Sequence, residues 1–191
     1  NNTIVAFMVP KIEIDYNITS STSYLLISVN QIGMLLGTLL SAKLPGSRKD
    51  KIVKTIVASV LIYPLLLFKL PLLVMYSLRF IFAVLEGLYL NEGPSLITEI
   101  SAVHYRGFNF GIAFFMWPIG GFLPTCAYKY VGSVVLLNSS YIVLGIMASY
   151  LIINYIPDSP RQLFVMGEYE QAKKSIEFIL SMQTLNYQVN I

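Results

Sequence analysis

Five long apolar stretches constrain this chain more than any other feature. They run over Tyr24–Leu44, Ile52–Phe68, Leu72–Asn91, Phe108–Tyr128 and Val134–Ile156. About 20 apolar residues in a helix match the thickness of a bilayer's hydrocarbon core. None of the five alternates as a half-buried strand does. In lipid each segment must also satisfy its own backbone hydrogen bonds, so each predicts a helix. The interruptions between them hold most of the charge. Only 12% of the residues are charged, against about 25% in soluble domains. A sixth apolar stretch, Thr3–Val9, is too short to cross and reads as the end of a helix whose start is missing. The sequence opens on Asn1 and shows no signal peptide, so the expectation is an internal fragment or a processed chain.

The distribution of Lys and Arg predicts the orientation. Lys43, Arg48, Lys49, Lys51 and Lys54 follow the first full stretch; Arg106, Arg161, Lys173 and Lys174 fall on the same side if every stretch crosses. Lys11, Lys69 and Lys129 fall on the other, a ratio of nine to three that makes the Lys43–Lys54 loop cytoplasmic. Asn17-Ile18-Thr19 then lies on the opposite face, where it reads either as a glycan acceptor or as a chance match. The net charge of +3 is small and clusters in one loop, which argues against nucleic acid as a partner. A lone Cys126 and a lone His104 exclude an intrachain disulfide framework and a Cys/His metal cluster. No paired acids and no serine–histidine set stand at catalytic spacing, so neither an enzyme nor a bound cofactor is expected.

The last apolar stretch ends on Pro157-Asp158-Ser159-Pro160-Arg161. Pro157 stops a helix; Ser159 caps the next, with Pro160 at its first position. From Arg161 to Gln183, Ala172, Ile176, Ile179 and Leu180 recur at helical spacing among charges, which predicts one amphipathic surface helix. The expected division is therefore a membrane bundle over 1–156 and a cytoplasmic surface helix and linker over 157–191.

Ionisable groups also stand where lipid is expected. Arg79 and Glu86 lie seven apart and share a helix face, and Glu92 follows. Such groups face a bundle interior or a watery cavity. They read either as a solute or proton pathway or as a structural ion pair. Tyr89, Asn91, Phe114 and Trp117 are candidates for a pocket wall, with packing as the alternative. Gly33 and Gly37 allow close helix approach, and Trp117-Pro118 with Gly120-Gly121 places a bend in the fourth full stretch.

Taken together, Arg79, Gly87, Pro94, Glu99-Ile100 and Arg106-Gly107 resemble the fourth helix and following loop of sugar-porter-like members of the major facilitator superfamily. Gly120 falls on a glycine of that family's fifth helix. Pro157–Arg161 is similar to the PESPR motif after the sixth, with Asp for Glu. Gly33, Gly37 and Leu44 resemble the second helix and its lead into the cytoplasmic loop. The resemblance covers nearly the whole chain. It implies an all-α membrane protein, multi-pass in the plasma membrane or an organelle membrane. The chain would be the six-helix N-terminal half of a major facilitator fold, with the first helix mostly missing and a cytoplasmic amphipathic helix appended.

The implied function is secondary transport of a small organic solute, a sugar or an organic ion, by alternating access across the lipid bilayer. A second six-helix half, or other membrane subunits, would be the partner. The resemblance also implies a cytoplasmic salt-bridge latch from Glu99, Arg106, Asp158 and Arg161, and a coupling role for Arg79. The residue facing Arg79 in proton symporters is an acid, and that position falls near Asn1, which favours facilitated diffusion. Two further departures stand out. Gly46 and Ser47 occupy the positions of the acid and adjacent arginine of the loop motif. Phe114 occupies the position of a polar glutamine, which disfavours a sugar. They motivate the alternative of a transporter-derived structural subunit without transport activity.

Overall fold

The computed structural model describes residues 13–14, 16–68, 70–131 and 134–189. Among these the elements are all helical: α1 Ser20–Ser41, α2 Arg48–Ile62, α3 Leu72–Ile100, α4 Arg106–Val131, α5 Val134–Tyr155, α6 Pro160–Val165 and α7 Tyr169–Val189. Short 3-10 turns follow α2 at Tyr63–Leu67 and precede α4 at Val103–Tyr105. The Thr3–Val9 stretch lies outside the described residues.

The helices differ from the apolar stretches mainly at the basic ends. α2 starts at Arg48, so half of the expected basic loop is helix. Ser47 makes this possible: its hydroxyl accepts from the Asp50 N–H at 3.2 Å. α2 has 15 residues and spans about 22 Å, short of the hydrocarbon core. The 3-10 turn completes the crossing where Pro64, lacking an N–H, interrupts the α-helical ladder. α3 runs 29 residues, about 43 Å, and carries Glu92 and Glu99 past the apolar part of the helix. α1 and α3 are each long and apolar enough to cross a membrane, with mean hydropathies of 1.5 and 1.6.

Among the described residues, small and polar groups share the interior with apolar ones, while many large aliphatic side chains face outward. On α1 the buried residues are Ser23, Leu26, Asn30, Gly33, Gly37 and Ser41, while Leu25, Ile32, Leu35 and Leu39 are exposed. On α3, Arg79 and Glu92 are buried beside Met75, Phe82, Leu88 and Leu96, and Leu73 is exposed. Small and polar groups inside with aliphatic groups outside suit lipid as the surrounding solvent, because lipid gives apolar side chains no reason to bury.

Backbone approach holds α1 against α3. A Cβ on Gly33 would stand 2.6 Å from Ala83 Cβ and 2.8 Å from the Phe80 carbonyl oxygen. A Cβ on Gly37 would overlap the Val84 carbonyl, and one on Gly87 would overlap the Met34 carbonyl. The Gly33–Gly37 pair is therefore packing, as small residues at a membrane helix interface commonly are. Asn91 donates to Ser41 Oγ at one end of the same seam, and Tyr76 donates to the Thr22 carbonyl at the other, 2.5 Å away. α5 packs on α2 through Gly145, where a Cβ would meet Val60 at 2.5 Å.

The tail corrects the expectation of one helix over Arg161–Gln183. It is two helices, α6 and α7, separated at Gly167, whose φ of +82° favours glycine. Ser159 caps α6 as the sequence predicts, accepting from Gln162 N–H at 3.2 Å, with Pro160 in the first turn.

Candidate functional site

Two groups of polar residues sit inside the bundle. One lies at its basic end, where α2, α3 and α6 meet. Arg48, in the first turn of α2, directs its guanidinium across to α3. Nε is 2.9 Å from Glu99 Oε2, one terminal nitrogen is 3.2 Å from Glu99 Oε1, and the other is 2.8 Å from Glu92 Oε2. Lys51, on the same face of α2, reaches the remaining Glu92 oxygen at 3.1 Å and the Ser41 carbonyl at 3.0 Å. Glu92 is only 2% exposed, so a compensated charge is what permits its burial.

α6 closes the same cluster. Ser159 donates to Glu99 Oε2 at 2.5 Å, and the Arg48 backbone N–H donates to Gln162 Oε1 at 2.7 Å. Gln162 also donates to the Gly46 carbonyl at 3.1 Å. Gly46, at φ +111°, turns the loop so that this carbonyl faces the tail. For Arg48, burial pulls the guanidinium pKa down. Hydrogen bonds and charge from Glu99 and Glu92 more than offset that, so its pKa stands above the ordinary arginine value.

The residues expected in the latch fall in different places. Glu99 is in the cluster, but its ion-pair partner among the described residues is Arg48. Arg106 is exposed and donates to the Ser101 carbonyl at 3.3 Å. Arg161 is exposed and acts on Glu99 only through its charge at longer range. One oxygen of Asp158 is buried with no hydrogen-bond partner among the described residues. Arg48, Lys51, Glu92, Ser159 and Gln162 are the cluster members that the motif reading did not assign.

The other polar group lies in mid-bundle, around a cavity of about 390 Å³ between α2, α3 and α5. Thr55, Ser59, Tyr63, Glu86, Tyr89 and Tyr141 give its walls their polar atoms, and Gly120 is the contribution of α4. Tyr63 is the centre of an aromatic set. Its ring stands edge-on to Phe82 at 5.1 Å and stacks on Tyr141 at 5.8 Å. Its hydroxyl stands beside the guanidinium of Arg79, and Glu86 lies two helical turns further along α3. Arg79 is 2% exposed.

Of the five pathway candidates, the structure brings Arg79, Glu86 and Tyr89 to this region. Phe114 is half-exposed and packs on Phe110 at 4.5 Å, away from the cavity wall. Trp117 lies in α4, and its side chain is outside the described residues.

A helical bundle with outward-facing aliphatic side chains, charges in its interior and an ion cluster at one end suits a membrane protein. The chain belongs to the Major Facilitator Superfamily, whose family description matches residues 1–182. It is similar in structure to the proton:xylose symporter XylE bound to 6-bromo-6-deoxy-D-glucose. That match has a TM-score of 0.76 and 20% identity, and covers 97% of this chain and 48% of the other. It is also similar to the inward-open xylose transporter XylE from E. coli. There the TM-score is 0.68 at 17% identity, over 95% of this chain and 52% of the other. The chain thus spans about half the length of these solved structures. No curated protein matches it. Membership of this family makes the chain an integral membrane protein with a sugar-porter-like, all-α fold.

Proposed function

We propose that this chain is one six-helix half of a secondary transporter that moves a small organic solute by alternating access, together with a second half. The observation that carries this reading is the mid-bundle placement of Arg79, Tyr63 and Glu86 beside a cavity. Burying charge at this depth is costly, and a stable bundle needs none of it. A solute or coupling pathway is the use that offsets the cost. Membership of the superfamily and the likeness to xylose transporters support the same reading and make sugars and organic ions the solutes to assay. The tyrosine-rich, mostly apolar cavity wall favours an amphipathic solute over a fully hydroxylated one.

In this reading residues 1–156 form the membrane bundle and residues 157–191 a cytoplasmic segment. The basic end faces the cytoplasm, as the distribution of Lys and Arg suggests. The Arg48–Glu92–Glu99–Lys51 cluster, with Ser159, is the core of the latch that holds one conformation. Arg106, Asp158 and Arg161 join Glu99 in the latch as the helices rearrange. No step in this reading is catalytic.

The test is uptake by the full-length protein in proteoliposomes, with Arg79→Ala and Glu86→Ala alongside. Saturable uptake of a solute that both variants impair supports the proposal. A chain that copurifies at fixed stoichiometry with unrelated membrane subunits and moves nothing would instead support the role of a structural subunit.

A further inference from the structure

The buried face of α1 packs on α3, and the rest of its surface is exposed in two unlike strips. Tyr24, Gln31 and Thr38 stand seven apart and share one strip, with Ser28 beside them. Leu25, Ile32 and Leu39, also seven apart, share the other, with Leu36 beside them. One residue's rotation, about 100°, separates the strips around the helix. Leu35 is the one large aliphatic side chain exposed on the polar side.

A helix with lipid on all its free sides gains nothing by sorting polar from apolar residues. The two hydroxyls of the polar strip are tolerable in hydrocarbon. Ser28 and Thr38 donate to the carbonyls of Tyr24 and Met34 in their own helix, at 3.5 and 3.0 Å. Gln31 is different. Its amide carries two donors and an acceptor, it is exposed, and it has no hydrogen-bond partner among the described residues. From Ser20, the start of α1, to Gln31 the helix rises about 16 Å, near the middle of a hydrocarbon core about 30 Å thick. An amide turned to lipid at that depth loses its hydrogen bonds to water and regains none. Gln31 therefore faces water or another protein surface.

The mid-bundle cavity does not supply that water, because no residue of α1 lines it. The chain spans about half the length of the solved structures it resembles, and a second half of similar size is a surface large enough to cover a strip that runs from Tyr24 to Thr38. Resting on the reading that such a half completes the transporter, we propose that the polar strip of α1 is where the second half meets this one. Gln31 borders the water-filled gap that opens between the halves as they rock. Its amide offers a donor and an acceptor at mid-depth to a hydroxyl or carbonyl group of a solute in transit. The aliphatic strip, from Leu25 to Leu39, faces lipid.

The experiment is cysteine labelling of the full-length protein in lipid nanodiscs, where both membrane faces meet solvent, with a charged thiol reagent. Cys126→Ser and replacement of any other native cysteine give the background. Ser28→Cys, Gln31→Cys and Thr38→Cys report the polar strip; Leu25→Cys, Ile32→Cys and Leu36→Cys report the aliphatic one. The reagent attacks the thiolate, which forms in water and not in hydrocarbon, so Gln31→Cys is expected to react at least about tenfold faster than Ile32→Cys. Each variant is first shown to be folded by its elution as a single species, which separates burial of a site from loss of the fold. Polar-strip cysteines as slow as aliphatic ones, or equal fast labelling of both strips, overturns the proposal. Labelling requires no transport, so the two readings fail separately. A chain that moves no solute yet labels on the polar strip alone keeps this surface and loses the transport reading. Uniform labelling in protein that does transport keeps the transport reading and overturns this surface.

Discussion

Arg48 and Glu99 form a two-pronged ion pair, with contacts of 2.9 and 3.2 Å between helices that start 24 residues apart in sequence, at positions 48 and 72. This one guanidinium ties α2 to α3 and, through Glu92, holds a carboxylate that is nearly out of solvent. The planar fork of arginine is what allows three contacts on two acids. The consequences of the account follow from how each such contact is made.

Arg48→Ala leaves Glu92 with Lys51 alone and Glu99 without an ion-pair partner among the described residues. Removing one partner of a buried pair costs about 3–5 kcal/mol. The expected outcome is a clear loss of thermal stability in detergent and greater labelling of a cysteine placed on the buried face of α2. Arg48→Lys is expected to recover only part of the stability, because an ammonium cannot reproduce the fork. Full stability in Arg48→Ala would show that the cluster holds nothing together.

Gly37→Leu forces α1 away from the Val84 carbonyl of α3. Rigid backbone blocks the added atoms, so relaxation requires the helices to separate. The cost is expected at the upper end of the roughly 1–3 kcal/mol seen for overpacking. Gly111→Ala, where an added Cβ meets nothing within 4 Å, is the control and is expected to be neutral. Folded yield and melting temperature, compared between the two, decide the point.

Tyr63→Phe keeps the rings packed against Phe82 and Tyr141 but removes the hydroxyl that meets Arg79. A buried charged donor that loses its acceptor costs about 1–3 kcal/mol. If Arg79 serves the pathway, uptake falls more than stability does. A structural role predicts the reverse, and the two readouts measured on one preparation separate them.

Ser159→Ala removes both the cap of α6 and a 2.5 Å hydrogen bond to Glu99. Loss of a cap alone costs about 1 kcal/mol. The expected phenotype is release of the tail, read as faster amide exchange over residues 160–165. Ser159→Thr, which keeps the hydroxyl, is expected to restore protection.

The helices were legible in the sequence because lipid imposes a length and a composition on each. Ser159 was legible for the same local reason: a cap and a proline announce a helix start within three residues. The Arg48 cluster was hidden in part. Its partners lie 44 and 51 residues away, beyond any local pattern. A signal was nevertheless present. Arg48 and Lys51 share a face of α2, and Glu92 and Glu99, seven apart, share a face of α3. A basic face and an acidic face on neighbouring helices are a reason to dock them. The break at Gly167 was obscured because the spacing of Ala172, Ile176, Ile179 and Leu180 begins beyond it, and the positive φ is a property of the backbone that spacing does not report. The likeness of Phe114 to a pocket position followed from its place in a motif, whereas the side of α4 that meets the cavity, with Gly120 and not Phe114, is a matter of tertiary packing.

The most direct test of the central claim is solute flux by the full-length protein in proteoliposomes, over a panel of sugars and organic cations and anions. The account predicts saturable uptake of at least one solute, reduced at least tenfold by Arg79→Ala and by Glu86→Ala in protein that stays folded, a loss of about 1.4 kcal/mol or more. Flux indistinguishable from empty vesicles across the whole panel, from protein shown to be folded and correctly inserted, would contradict it.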